Sequence, residues 1–159
     1  MKRRTTIHLC PYGVPGDRSR ELAEAADDVV AGLGCTVALA PPFDVGLNLE
    51  PPYNARELLH ALRQLRPSGP VLLLVDNPLI GDRHRPVRGA SERGGTVGVV
   101  HIEGAADDVA AVAHEVGHLM GLAHCGYPGC LMGRRPSHDR KGACDHCVAL
   151  MDAVGDSFL

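Results

Sequence analysis

The sequence predicts a single α+β domain built on a sheet with parallel members, and three observations lead there. The chain has 159 residues, 45% of them hydrophobic, which is enough for one well-buried core and too few for two ordinary domains. Its first half alternates short apolar strands with amphipathic helices, and two strand–helix–strand units in a row imply parallel pairing. The longest clean apolar run, Val71 to Val75, is strand-sized and of the kind buried on both faces in a central strand.

Ile7 to Cys10 is short, apolar and followed by Pro11 and Gly13, so it reads as a strand ending in a turn. From Ser19 to Leu33, Leu22, Ala25, Ala26, Val29, Val30 and Leu33 recur at three- and four-residue steps, predicting a helix stopped by Gly34. Cys35 to Ala40 is a second strand, ended by Pro41-Pro42. Pro51 to Asn54 opens a second helix carrying Leu58, Leu59, Leu62 and Leu65, stopped by Pro67, Gly69 and Pro70 before the Val71–Val75 strand. The stretch from Asn77 to Gly95 is rich in Arg, Gly and Pro without periodicity and reads as a loop. Thr96 to Ile102 is strand-like. Beyond Ala105 the chain turns helical, with Asp107 and Asp108 in the first turn, where negative charge suits the helix dipole.

Composition narrows the function classes. A net charge of −3, a pI near 6.3, no Trp and only three Tyr and two Phe argue against a nucleic-acid surface. The basic start Met1-Lys2-Arg3-Arg4 is followed by Ile7 and Leu9, but His8, Cys10 and Pro11 interrupt the run, so it does not form a signal-peptide core. No run approaches the roughly 20 apolar residues of a membrane span. These features lead us to expect a soluble, cytoplasmic protein, and in a reducing compartment six cysteines point first to metal.

The chemistry is concentrated in two constellations. In His114-Glu115-Val116-Gly117-His118 the two histidines lie four residues apart on one helix face, so both imidazoles can reach one metal ion. Glu115 sits beside that face, placed to take a proton from metal-bound water. His124 cannot join them from a straight helix, because six residues beyond His118 its side chain would point about 240° away. The chain must bend first, and Gly121 is where it can. Single histidines such as His8, His60, His84 and His101 are ordinary core or surface residues. The five-residue pattern, by contrast, arises by chance in roughly one such chain in ten thousand.

The second constellation is Cys125, Cys130, Cys144 and Cys147, two close pairs with the spacing of a closed four-thiolate structural zinc site. Two disulfides or scattered thiols are the alternatives, and His138 or His146 could replace one thiolate. Cys10 and Cys35 fall in strands and read as small buried hydrophobes. Such a site carries a formal charge of −2, which Arg134, Arg135, Arg140 and Lys141 in the connecting loop either offset or leave as a solvated face.

The run from His114 to His124 matches the metzincin motif, and with Cys125, Cys130, Met132 and Cys144-Asp145-His146-Cys147 the arrangement resembles the archaemetzincin family of zinc-dependent peptidase-like proteins. The resemblance is firm from His114 to Cys147. Upstream it is fainter, resting on Leu9 to Gly13, Val75-Asp76 and Gly89-Ala90. It implies a zincin-like fold with a mixed twisted sheet and an antiparallel edge strand over the active-site helix. One catalytic domain would span residues 1–159: the sheet and active-site helix in 1–124, and a zinc-clamped, Cys-rich subdomain in 125–159. It further implies two zinc ions per chain, one catalytic and one structural, with Met132 as the Met-turn residue beneath the catalytic metal. An extended peptide or protein substrate would lie along an edge strand, for which Thr96 to Ile102 is the candidate. Two departures stand out. Eleven residues separate Met132 from Cys144, fewer than is usual in the family, and Gly133-Arg134 occupies the place where some metzincins carry a tyrosine. The expected function is a zinc metallopeptidase with Glu115 activating water and an Arg available to the oxyanion. The competing reading is a zinc-stabilised peptide-binding or adaptor protein with negligible hydrolysis, against which the presence of Glu115 argues.

Overall fold

The structure, a computed structural model, describes residues 4–41, 46–135 and 142–157. In chain order it contains β1 (Thr5–Tyr12), α1 (Gly16–Val29), β2 (Cys35–Leu39), β3 (Tyr53–Asn54), α2 (Ala55–Gln64), β4 (Val71–Val75), β5 (Leu79–Ile80), β6 (Pro86–Val87), β7 (Gly89–Ser91), β8 (Val97–His101), α3 (Asp108–Leu119) and α4 (Asp145–Ser157). Short 3-10 turns occupy Ala31–Leu33 and Asp82–His84. The main sheet has the order β2-β1-β4-β8-β7, parallel through the first four strands and antiparallel at β7. A second, small sheet pairs β3, β5 and β6.

The central strand shows how one apolar run serves two cores. Leu72 and Leu74 face the layer formed by α1 and α3, together with Leu22, Ala26, Val112 and Val116. Leu73 and Val75 face the opposite layer, with Leu58 and Leu62 of α2. All four are fully buried, as a strand covered on both faces requires. Leu131, Met132, Cys130 and Cys147 join the α1/α3 core, so the segment after His124 is anchored in the layer that carries the helix.

Several boundaries differ from the sequence reading for identifiable reasons. β1 runs past Pro11 to Tyr12, because pairing with β2 ends at Leu9 and Pro11 faces no ladder on that side. The helix expected over Ser19–Leu33 ends at Val29 and gives way to the 3-10 turn before Gly34, which takes φ +74°. Tyr53-Asn54 is a strand, and Asn54 then caps α2, its side chain accepting from the Glu57 N–H at 3.1 Å. The supposed loop from Asn77 to Gly95 contains β5, β6 and β7, strands of two or three residues that are too short to show periodicity. As a consequence, the strand at Thr96–Ile102 is not an edge: β8 lies between β4 and β7, and β7 is the antiparallel edge. α4 was not anticipated from sequence. Among the described helices none is long and apolar enough to cross a membrane.

Candidate metal centres and the cleft

The N-terminus of α3 is set by a buried ion network. Asp108, fully buried, accepts hydrogen bonds from the backbone N–H groups of Glu103, Gly104 and Ala105 at 3.0, 2.9 and 3.1 Å. Its carboxylate also meets Arg88 at 2.5 Å and Arg18 at 3.1 Å. Arg88 continues to Asp107 at 3.0 Å and donates to the His101 carbonyl at 2.8 Å, tying the residue before β7 to β8 and to the helix start. Asp108 therefore does more than complement a helix dipole on the surface: it fastens α3 to α1 and to the sheet edge.

The far end of α3 closes on glycine. Gly121 has φ +105°, its N–H donates to the His118 carbonyl, and the Leu122 N–H donates to the Gly117 carbonyl, both at 2.9 Å, a Schellman arrangement that turns the chain back. This return brings His124 beside His114 and His118, with ring centroids 5.3 and 4.8 Å away. The candidate ligand atoms of the three histidines all lie within 4.8 Å of one another.

The orientation of the imidazoles is fixed from behind. His114 Nδ1 lies 3.0 Å from the Leu131 carbonyl, and His118 Nδ1 lies 2.8 Å from the Leu122 carbonyl. A carbonyl can only accept, so each Nδ1 carries the proton, and in the neutral imidazoles each Nε2 then presents a lone pair. Those two Nε2 atoms stand 3.1 Å apart. Two facing lone pairs at that distance repel each other, and a cation shared between them removes the conflict. Zinc–nitrogen bonds of about 2.0–2.1 Å at a tetrahedral angle place nitrogens about 3.3 Å apart, so the pair fits zinc. Backbone carbonyls behind metal-binding histidines are the usual outer support of such sites.

Met132 is fully buried against Gly117, one residue before His118. A Cβ on Gly117 would overlap the Met132 sulfur, so glycine lets the methionine pack directly against α3. Glu115 is 94% buried and accepts a hydrogen bond from Ser91 Oγ at 3.0 Å. Burial pushes its carboxyl up to about 7, against the opposing pull of the Ser91 hydrogen bond. On its other side Gly89 leaves room for it, since a Cβ there would stand 2.5 Å from Glu115 Oε1. Ser91 and Gly89 both come from β7, whose three residues lie in a segment without periodicity, so no sequence pattern signals their role.

The second group is Cys125, Cys130, Cys144 and Cys147, whose sulfurs also lie within 4.8 Å of one another. The Cys125–Cys144 and Cys130–Cys147 sulfurs are 3.7 and 3.8 Å apart, and no disulfide joins the four. Zinc–sulfur bonds of about 2.3 Å separate tetrahedral sulfurs by about 3.8 Å, so this group also fits zinc. The Met132 and Cys144 N–H groups donate to Cys130 Sγ, each at 3.4 Å. The Cys125 N–H donates to the Met132 carbonyl at 2.8 Å, which links the cysteine group to the methionine turn. His146 stands outside this group, near the Tyr127 ring. His138, Arg140 and Lys141 lie outside the described residues. Cys10 and Cys35 are buried and their thiols are raised to about 11 by desolvation, which leaves them unreactive.

A cleft of about 690 Å³ opens on the histidines. β7, Glu115, the three histidines, and Arg93, Arg134 and Arg135 line it.

No protein-family model and no curated protein sequence matches the chain. Solved structures do. An archaemetzincin from Methanopyrus kandleri superposes with a TM-score of 0.73 at 23% identity, covering 94% of this chain and 94% of that one. An archaemetzincin from Archaeoglobus fulgidus, complexed with malonate, gives 0.71 at 24% identity over 91% of this chain and 99% of that one. A zinc-dependent peptidase from Methanocorpusculum labreanum gives the same values of 0.71, 24%, 91% and 99%. With likeness running through almost the whole of both chains, and with a histidine group and a cysteine group that each fit a metal ion, this chain has the archaemetzincin fold.

Proposed function

We propose that this chain is a zinc-dependent metallopeptidase, with His114, His118 and His124 holding the catalytic zinc, Glu115 as general base, and Cys125, Cys130, Cys144 and Cys147 holding a structural zinc within a single 1–159 domain. The observation that carries the reading is the pair of Nε2 lone pairs held 3.1 Å apart beside a buried carboxylate. Zinc supplies a Lewis acid and makes water acidic enough to lose a proton near neutrality.

The chain's own residues do the rest. Ser91 holds Glu115 Oε2, leaving the other oxygen to accept a proton from the attacking water and return it to the leaving amine. Burial favours the protonated carboxyl, which suits Glu115 to holding the proton between the two transfers. β7, the sheet edge lining the cleft, offers main-chain groups to an extended peptide, which would add as a further strand with little dependence on its side chains.

The test is to profile cleavage of a diverse peptide library by the zinc-loaded protein, with Glu115→Ala as control. We expect cleavage by the wild type and none by the variant, which keeps its zinc on elemental analysis because Glu115 is not a ligand. Silence from both would favour a peptide-binding or adaptor role.

A further inference from the structure

The cleft is more basic than the chain around it. The protein carries a net charge of −3, yet the cleft lining includes Arg93, Arg134 and Arg135 and only one carboxylate among the described residues, Glu115. Arg93 is engaged in part, its Nε donating to the Gly121 carbonyl at 3.0 Å. Arg88, which also borders the cleft, is committed to Asp107 and Asp108. Arg134 and Arg135 differ. Both are exposed, and among the described residues neither has a carboxylate partner. They follow Met132 by two and three residues and line the same cleft as His124. Two adjacent guanidinium forks are thus presented to the cleft in which the metal ligands converge.

Guanidinium groups bind carboxylates through paired hydrogen bonds, and a cleft with low-dielectric walls strengthens their field. We propose that Arg134 and Arg135 form a carboxylate-binding subsite beside the histidine centre, so that the preferred substrates are peptides with a carboxylate close to the scissile bond. This rests on the peptidase reading above. The carboxylate belongs either to an Asp or Glu side chain or to the peptide's own C-terminus, both of which present the same group.

Two exposed ion pairs together support a preference of about tenfold, weakened by salt. The experiment uses zinc-loaded Glu115→Gln protein, so that peptides bind without turnover, and reads fluorescence anisotropy. Labelled peptides carry Glu or Gln at each position in turn, each made as a free acid and as a C-terminal amide. The expected result is about tenfold tighter binding of the carboxylate-bearing member of a pair, diminishing with added salt. An advantage that survives amidation identifies the side chain as the source, and one that amidation abolishes identifies the C-terminus. Arg134→Ala/Arg135→Ala should bring the ratio close to one, whereas Arg134→Lys/Arg135→Lys, which keeps the charge and loses the paired geometry, should reduce it to about threefold. If the alanine pair fails to fold by circular dichroism, the lysine pair and the salt dependence decide. Equal binding of all four forms, or no binding of any peptide, overturns the subsite. Equal binding with hydrolysis by the wild type sinks the subsite and leaves the peptidase standing. Selective binding with no wild-type hydrolysis of the same peptides does the reverse.

Discussion

Asp108→Asn should destabilise the zinc-loaded protein by about 3–5 kcal/mol, the range for breaking a buried, hydrogen-bonded ion pair from one side. The contacts show why the amide is no substitute. Oδ1 receives Arg88 and the Glu103 N–H, and Oδ2 receives Arg18 and the N–H groups of Gly104 and Ala105. Whichever oxygen becomes NH2 then faces two or three donors with none of them satisfied. The Arg88 side chain, 16% exposed, keeps part of its charge buried without its shortest partner. Arg18 is 35% exposed, and solvent screens its share, so Arg18→Ala should lose no more than about 1 kcal/mol. A loss of 3–5 kcal/mol is a large part of the roughly 5–15 kcal/mol that holds a domain together, and corresponds to a fall in Tm of about 6–20 °C. Urea unfolding followed by circular dichroism, with amide hydrogen exchange at Glu103, Gly104 and Ala105 as a local probe, would measure it. An Asp108→Asn variant within about 1 kcal/mol of the parent, or an Arg18→Ala variant equally destabilised, would refute the argument that this carboxylate anchors α3.

Gly117→Ala adds helix propensity worth about 1 kcal/mol but drives a methyl into the fully buried Met132 side chain, an overpacking cost of about 1–3 kcal/mol. The net effect should be lower zinc affinity and no gain in stability, and Gly117→Ala/Met132→Ala should recover affinity beyond additivity; strict additivity in that cycle would count against the packing account. Chelation should remove zinc in two stages. The histidine equivalent, open to the cleft, leaves first with little change in circular dichroism, and the cysteine equivalent leaves with loss of structure, since structural zinc contributes about 10–16 kcal/mol of apparent binding energy. A single equivalent per chain would contradict this. In the metal-free protein, Glu115 is raised from 4.5 to about 7 by burial, so its contribution to stability is present at low pH and lost as pH rises through 7. Glu115→Gln should therefore stabilise the metal-free protein by up to about 3 kcal/mol at about pH 8 relative to about pH 5, as read by denaturant midpoints, and a difference that does not change with pH would exclude this titration.

The sequence alone determined whatever follows from local rules. Helical periodicity places His114 and His118 on one face, Gly121 supplies the conformation that lets the chain turn, and the apolar run Val71–Val75 has the composition of a strand covered on both sides. The paired cysteine spacings belong to the same class, because few residues separate the members of each pair. Contacts between distant segments were decided by tertiary structure. β7 has three residues, too few for alternation to register, yet its edge position brings Ser91 to Glu115 across 24 residues of sequence and leaves room for that side chain at Gly89. The misplaced edge strand has the same cause: Val97–His101 looks like any half-buried strand until β7 is seen to cover it. Likewise Asp108 reads as a surface helix-start residue, and only the approach of Arg18 from 90 residues upstream and Arg88 from 20 makes it a buried anchor. Residue type and short spacing encode which groups can bind a metal, whereas the groups that hold those ligands in place come from segments whose proximity is set by the packing of the whole chain.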